Sequence, residues 1–193
     1  MIKLNTYEIK NTNNEVVFSG LFYSHKECVE AAVENKISLA DADLQDANLQ
    51  GAYLQDANLQ DANLYKCNLQ GAYLYKCKLK DANLRYVNLQ GANLQDANLQ
   101  GADLQGAYLY KCNLQGANLR YVNLQGAYLQ DAYLQDAYLQ GAYLKDANLQ
   151  GADLRYVNLE GANLYKCNLQ DANLQGADLR YVNLQGAYLQ GVK

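Results

Sequence analysis

Leucine falls on every fifth residue from Leu39 to Leu189 without a break. Two residues before it stands a small or modest apolar residue. This is Ala in most units, Cys at Cys67, Cys77, Cys112 and Cys167, Val at Val87, Val122, Val157 and Val182, and Ile37 in the first. The residue between these two apolar positions is mostly Asn, Asp or Tyr, and the pair after the leucine is mostly Gln-Asp, Gln-Gly, Tyr-Lys or Arg-Tyr. A five-residue period matches neither a helix nor the two-residue alternation of a long strand. It predicts a short strand whose apolar-polar-apolar core points in, out and in, followed by a two-residue corner. Repeated, this unit winds a solenoid with leucine along its axis. The absence of proline agrees, since a coil-to-coil ladder needs the backbone N–H groups.

The period alone does not set the number of sides. Stacked coils place equivalent residues about 4.8 Å apart, so charges at matching positions should be opposite in sign. A 20-residue offset yields six opposite pairs: Asp46–Lys66, Asp56–Lys76, Lys76–Asp96, Lys111–Asp131, Asp146–Lys166 and Glu160–Arg180. Two pairs at that offset are alike, Asp41–Asp61 and Asp61–Asp81. Offsets of one unit less or more lose the excess, so four sides per coil are favoured. The same offset sets Tyr65-Lys66 under Arg85-Tyr86, an arrangement that permits two crossed cation–π contacts.

Units such as Ala42-Asp43-Leu44 and Ala47-Asn48-Leu49 match the motif A-(D/N)-L-x-x literally. Residues 37–192 therefore resemble the pentapeptide-repeat proteins. The resemblance implies an all-β fold, a right-handed four-sided parallel β-helix, here of about seven to eight coils and about 35–40 Å tall. Leu44, Leu64, Leu84, Leu104, Leu124, Leu144, Leu164 and Leu184 are expected to form one core column.

Residues 1–36 do not repeat, and two domains are expected: a capping segment at 1–36 and the solenoid at 37–193. In the first, Leu4–Lys10 and Val16–Tyr23 predict a β-hairpin around the polar turn Asn11-Thr12-Asn13-Asn14. Ser24 with Glu27 three residues on is a capping-box pattern, predicting a helix from His25 to about Asn35. A solenoid's first coil presents an open edge, and this piece is expected to cover it. The other end stays in register to Lys193, so a homodimer through an uncapped C-terminal coil is expected. C-terminal dimerisation is also what the family resemblance implies.

The formal charge is −4, from 16 basic and 20 acidic residues, which disfavours direct nucleic-acid binding. No apolar run is long enough to span a membrane, and the N-terminus lacks an apolar signal core, so a cytoplasmic location is expected. Five cysteines without such a signal argue against a disulfide framework, and one histidine without a CxxC pair argues against zinc. The solenoid holds no His, no Thr and only Ser38, so nucleophile–base pairs cannot be assembled there. No catalytic residue, cofactor or metal site is expected.

Two surface groups stand out. Tyr128, Tyr133, Tyr138 and Tyr143 hold the outward mid-strand position in four successive units, a belt around the tower with aromatic character suited to interfaces. Asp41, Asp61 and Asp81 stack on one corner, readable as a phosphate mimic, a cation site or simply a solvated corner. Residues 75–109 and 110–144 align at a 35-residue offset, beginning YKCKLKDANLRYVNLQGANL against YKCNLQGANLRYVNLQGAYL. Seven units is not a multiple of four, so copied modules land on different faces. The expected function is a non-catalytic scaffold for a protein partner whose identity the sequence does not carry. The alternative is a DNA-mimic modulator of a type II topoisomerase, by resemblance to quinolone-protection members. The solenoid's 15 acidic and 12 basic residues fit such a mimic poorly.

Overall fold

The structure, a computed structural model, describes residues 3–193. Strands β1 (Asn5–Asn11) and β2 (Val16–Phe22) pair antiparallel, with a register shift between Ile9 and Lys10. The turn is closed by Asn11, whose backbone N–H donates to Glu15 O at 2.9 Å and whose Oδ1 accepts from Asn13 N and Glu15 N. Asn14 holds φ of 67° in this turn, a conformation Asn tolerates better than most residues.

Helix α1 (His25–Glu34) starts at Ser24, whose Oγ accepts the Glu27 N–H at 3.2 Å. The Glu27 carboxylate reaches back to Tyr23 N at 3.0 Å, one residue before the N-cap. The helix ends in a Schellman motif. Ile37 N donates to Ala32 O and Lys36 N to Val33 O, both at 2.9 Å, with Lys36 at φ 59°. Ile9, Cys28, Val29 and Ala32 join the same apolar core as Leu39.

The hairpin also pairs with the coils. β1 lies antiparallel beside the short strand β3 (Ala42–Asp43), so one sheet has the order β2-β1-β3. Thr12 N donates to Asp41 O at 2.9 Å, Lys26 Nζ to Gln50 O at 3.1 Å, and Tyr53 N to the Glu30 carboxylate at 2.9 Å. These are edge groups of the first coil that the coil above does not use.

From Asp43 onward, single-residue parallel bridges join every mid-strand residue to the one 20 positions later, ending at Asn168–Tyr188. Each coil therefore holds four five-residue sides, as the charge offset indicated. In an interior unit with Asn at its middle each N–H has an acceptor, a pattern seen around Leu49 to Ala52 and at Asn68 one coil above. Leu49 N and Gly51 N donate up the ladder to Asn68 O and Gln70 O, both at 2.8 Å. Asn68 N donates back to Ala47 O at 2.9 Å, and Ala52 N closes the corner on Leu49 O at 3.0 Å. The remaining donor, Gln50 N, is taken by the Asn48 side chain at 3.3 Å. This is why the unit carries Asn or Asp between its apolar residues: an Asx turn satisfies the one N–H the ladder leaves over.

The second corner residue always has φ between roughly 54° and 72°, with a turn bond across it, the sign pattern of a type II turn. Glycine fits that position freely, but Asp, Lys and Tyr occupy it as well, including Lys66, Tyr86 and Asp131.

Leu44, Leu64, Leu84, Leu104, Leu124, Leu144 and Leu164 are buried. Leu184 is not. It is half-buried and only packs against the core, because no coil lies over the last one. The same exposure reaches Leu179 and Leu189.

Candidate functional site

The outward faces form a lattice whose spacing comes from the backbone ladder. The expected charge pairs follow that lattice only in register, not in contact. Of the six, Glu160–Arg180 is an ion pair, at 3.1 Å; the other five do not close to 4.0 Å among the described residues. The reason lies in the corner. Each lysine in a Tyr-Lys corner folds back over its own tyrosine: Lys66 over Tyr65 at 5.1 Å, Lys76 over Tyr75 and Lys111 over Tyr110 at 4.9 Å, Lys166 over Tyr165 at 5.1 Å. The crossed cation–π contacts at Tyr65-Lys66 and Arg85-Tyr86 are likewise absent. Arg85 sits over Tyr86 at 5.8 Å, and the rings of Tyr65 and Tyr86 meet edge to face at 5.9 Å.

Tyr128, Tyr133, Tyr138 and Tyr143 are all exposed, and each lies on a different side of the coil. Tyr133, Tyr138 and Tyr143 have Asn or Asp above and below them, while Tyr128 stacks on Tyr108 at 5.2 Å with the rings 6° from parallel. Tyr53 and Tyr73 form a second such stack, at 5.0 Å and 9°. The structure thus does not gather the belt onto one surface. It also shows what the belt costs. Tyr cannot accept the leftover N–H as Asn does, and Gln130, Gln135, Gln140 and Lys145 N–H have no protein acceptor among the described residues.

Asp41, Asp61 and Asp81 do share one corner, each at φ of 57–58°. Lys80 Nζ lies 3.3 Å from the Asp81 carboxylate. Among the described residues no three metal-binding side chains converge, here or elsewhere. Other acids are matched by arginine: Arg155 Nη2 lies 2.7 Å from Asp153 Oδ2, and Arg180 Nη2 lies 2.7 Å from Asp178 Oδ2. The arginine hydrogen bonds hold both carboxyls below the ordinary aspartate range.

The inward cysteines are buried thiols. Burial, assisted by nearby aspartate charge, pushes Cys67, Cys77 and Cys167 up to about 12, and burial alone raises Cys112. Cys67 Sγ donates to Ala47 O at 3.1 Å and Cys77 Sγ to Ala57 O at 3.2 Å. Such thiols stay protonated at neutral pH and are poor nucleophiles. His25, its pKa lowered by burial, stacks on Tyr7 at 6.3 Å.

The sequence reading missed a smaller feature. Tyr86, Asn88, Gln90 and Tyr108 line a slot of about 260 Å³. The signal lay in the 20-residue offset. Tyr108 follows Asn88 by one coil, and Gly106 follows Tyr86 by one coil. The Tyr86 ring lies beside Gly106, where an added Cβ would lie 2.7 Å from its Cε1.

With the coil geometry in hand, comparison with known proteins is decisive. The family model for pentapeptide repeats matches residues 42–81, 77–116, 97–136, 112–151, 132–171 and 158–193. The chain belongs to the pentapeptide-repeat family. HetL, a pentapeptide-repeat protein involved in heterocyst differentiation regulation from the cyanobacterium Nostoc sp. strain PCC 7120, is 32% identical, with a TM-score of 0.51. The match covers 78% of this chain and 86% of HetL. A trypsin-treated QnrB1, a plasmid-mediated fluoroquinolone resistance protein, is 24% identical with a TM-score of 0.50, over 78% of this chain and 76% of that one. At that identity QnrB1 speaks to fold alone. No curated protein sequence matches the chain. No helix among the described residues is long and apolar enough to cross a membrane.

Proposed function

We propose that this pentapeptide-repeat chain is a non-catalytic, cytoplasmic scaffold that binds a protein partner. The carrying observation is the coil-to-coil backbone ladder, which leaves the outward side chains on four faces for contact with a partner. The inward cysteines, the recurring thiols, are held protonated and out of solvent. A right hand for the coil follows from the general rule that parallel β crossovers turn right-handed. Residues 1–36 act as the cap of the first coil, a role supported by the bonds from Thr12, Lys26 and Glu30 to its edge. As a mimic of DNA the tower is weak, because its 15 acids are nearly balanced by 12 bases and several are already paired.

At the far end, Leu179 and Leu189 are exposed, and the N–H groups of Leu179, Leu184 and Leu189 meet no carbonyl among the described residues. A two-fold homodimer would cover both deficits. Light scattering reads its mass, and a monomer at all concentrations removes it. The scaffold itself is tested by affinity capture with the immobilised chain. A saturable partner supports the reading. Capture of none, beside measurable turnover of a small substrate, overturns it.

A further inference from the structure

We propose that the stacked pairs Tyr53–Tyr73 and Tyr108–Tyr128 are oxidative cross-linking sites, where a haem peroxidase with hydrogen peroxide joins adjacent coils through dityrosine. The proposal is independent of the scaffold reading. Three observations carry it.

Proximity is built into the ladder. Among the described residues tyrosine faces tyrosine across two mid-strand bridges, and these are the two. The backbone pins both pairs. Tyr73 N donates to Ala52 O at 2.9 Å, and Tyr73 O accepts from Leu54 N at 2.8 Å. Tyr128 N donates to Ala107 O at 2.9 Å, and Tyr128 O accepts from Leu109 N at 2.7 Å. The ring centroids lie 5.0 and 5.2 Å apart, with planes 9° and 6° from parallel. Partners held side by side react as if at very high local concentration, so a radical on one ring meets its neighbour before another chain.

The rings are within reach of an oxidant, with exposures from 44% to 58%. Their hydroxyls make no hydrogen bond among the described residues, unlike those of Tyr7 and Tyr188. Each phenol is free to pass its proton to water, and each ring is free to tilt toward the other.

The four rings also carry no cation among the described residues. A positive charge over a ring face opposes loss of an electron from that ring. Lys66 lies over Tyr65 and Arg85 over Tyr86. The edge-to-face pair Tyr65–Tyr86, at 5.9 Å, is thus an internal control: a near tyrosine with a cation on each ring. Tyr133, Tyr138 and Tyr143 are a second control, since their neighbours above and below are Asn or Asp.

In the reaction each phenol loses one electron and one proton, leaving a phenoxyl radical shared with the Cε carbons. A Cε of one ring bonds to a Cε of the other. The hydrogen on each joined carbon then passes to its phenol oxygen, which restores both rings. One C–C bond forms, and two electrons and two protons leave in all. Hydrogen peroxide takes them up at the haem and becomes two waters.

The test exposes the full chain, at low micromolar concentration, to a haem peroxidase and hydrogen peroxide, followed by denaturation and trypsin digestion. Cleavage at Lys66 parts Tyr53 from Tyr73, and cleavage at Lys111 and Arg120 parts Tyr108 from Tyr128. Mass spectrometry should find each peptide pair joined and lighter by two hydrogen atoms, with dityrosine fluorescence to match. Tyr53→Phe and Tyr108→Phe keep a stacking ring without its phenol. Each should lower its own bridge about tenfold or more and leave the other intact. The proposal is overturned if no bridge forms while free tyrosine couples in the same reaction. Links found between chains only, or links at Tyr65–Tyr86 and the belt in equal yield, overturn it as well.

Discussion

Replacing Gly106 with alanine separates two costs that coincide at the corners. Gly106 and Gly126 stack on one corner, with φ of 65° and 63°. A Cβ at Gly126 would meet nothing within 4 Å, whereas one at Gly106 would lie 2.7 and 2.8 Å from Cε1 and Cδ1 of Tyr86. Gly126→Ala therefore carries only the left-handed backbone penalty, about 1 kcal/mol. At Gly106 carbon atoms must separate to about 3.5–4.0 Å, so the ring has to move by about 1 Å. That motion disturbs its edge-to-face contact with Tyr65, worth about 0.5–1.5 kcal/mol, and the Arg85 contact, worth about 0.5–1 kcal/mol. Gly106→Ala should then cost about 2–3 kcal/mol in all. Guanidinium denaturation followed by circular dichroism measures both variants, compared at a common m-value because repeat arrays can depart from two-state unfolding. In a Tyr86→Ala background the excess at Gly106 should vanish, a coupling of about 1–2 kcal/mol. Equal costs at the two glycines, or an excess that survives loss of the Tyr86 ring, would refute the reasoning.

The other predictions use the same lattice. Leu104→Ala in mid-tower should cost about 3–5 kcal/mol and Leu184→Ala distinctly less, since only the former leaves an enclosed cavity; denaturation midpoints decide. Asn98→Ala should cost about 1 kcal/mol and speed hydrogen exchange at the Gln100 amide, which Asn98 Oδ1 now holds at 3.2 Å, while Tyr133→Asn should protect Gln135 by restoring such a bond. The buried thiols favour the fold while protonated. Their contribution is intact below the unfolded cysteine value and is lost as pH climbs toward about 12, so replacing Cys67, Cys77 and Cys167 with alanine should flatten the alkaline limb of a stability profile. Asp153 is shifted the other way by Arg155; its contribution is present above the ordinary aspartate range and fades as pH falls through its lowered value, and Asp153→Asn should remove that acid-limb component.

The register of the tower was legible because a solenoid makes contact between residues a constant distance apart in sequence. Leucine every fifth residue names the inward face, and the charge offset names the coil length. Asn11, Ser24 and Glu27 likewise announced the hairpin and helix, since caps and turns are local chemistry. Strand limits moved by a residue, from Leu4–Lys10 to Asn5–Asn11, where the turn captured Asn11.

What the sequence by itself determined is therefore periodic: the core, the four sides and the family. What only the tertiary structure decided is where outward side chains go once the backbone is set. Lysines expected across the coil step lie on their own tyrosines, because a left-handed corner folds the side chain back. The belt of Tyr128, Tyr133, Tyr138 and Tyr143 is divided among four faces, whereas Tyr86 and Tyr108, twenty-two residues apart, share a slot. Inward positions have one neighbourhood, imposed by packing. Outward positions have several rotamers and partners of similar energy, and the choice among them is made by neighbours that a linear reading does not rank.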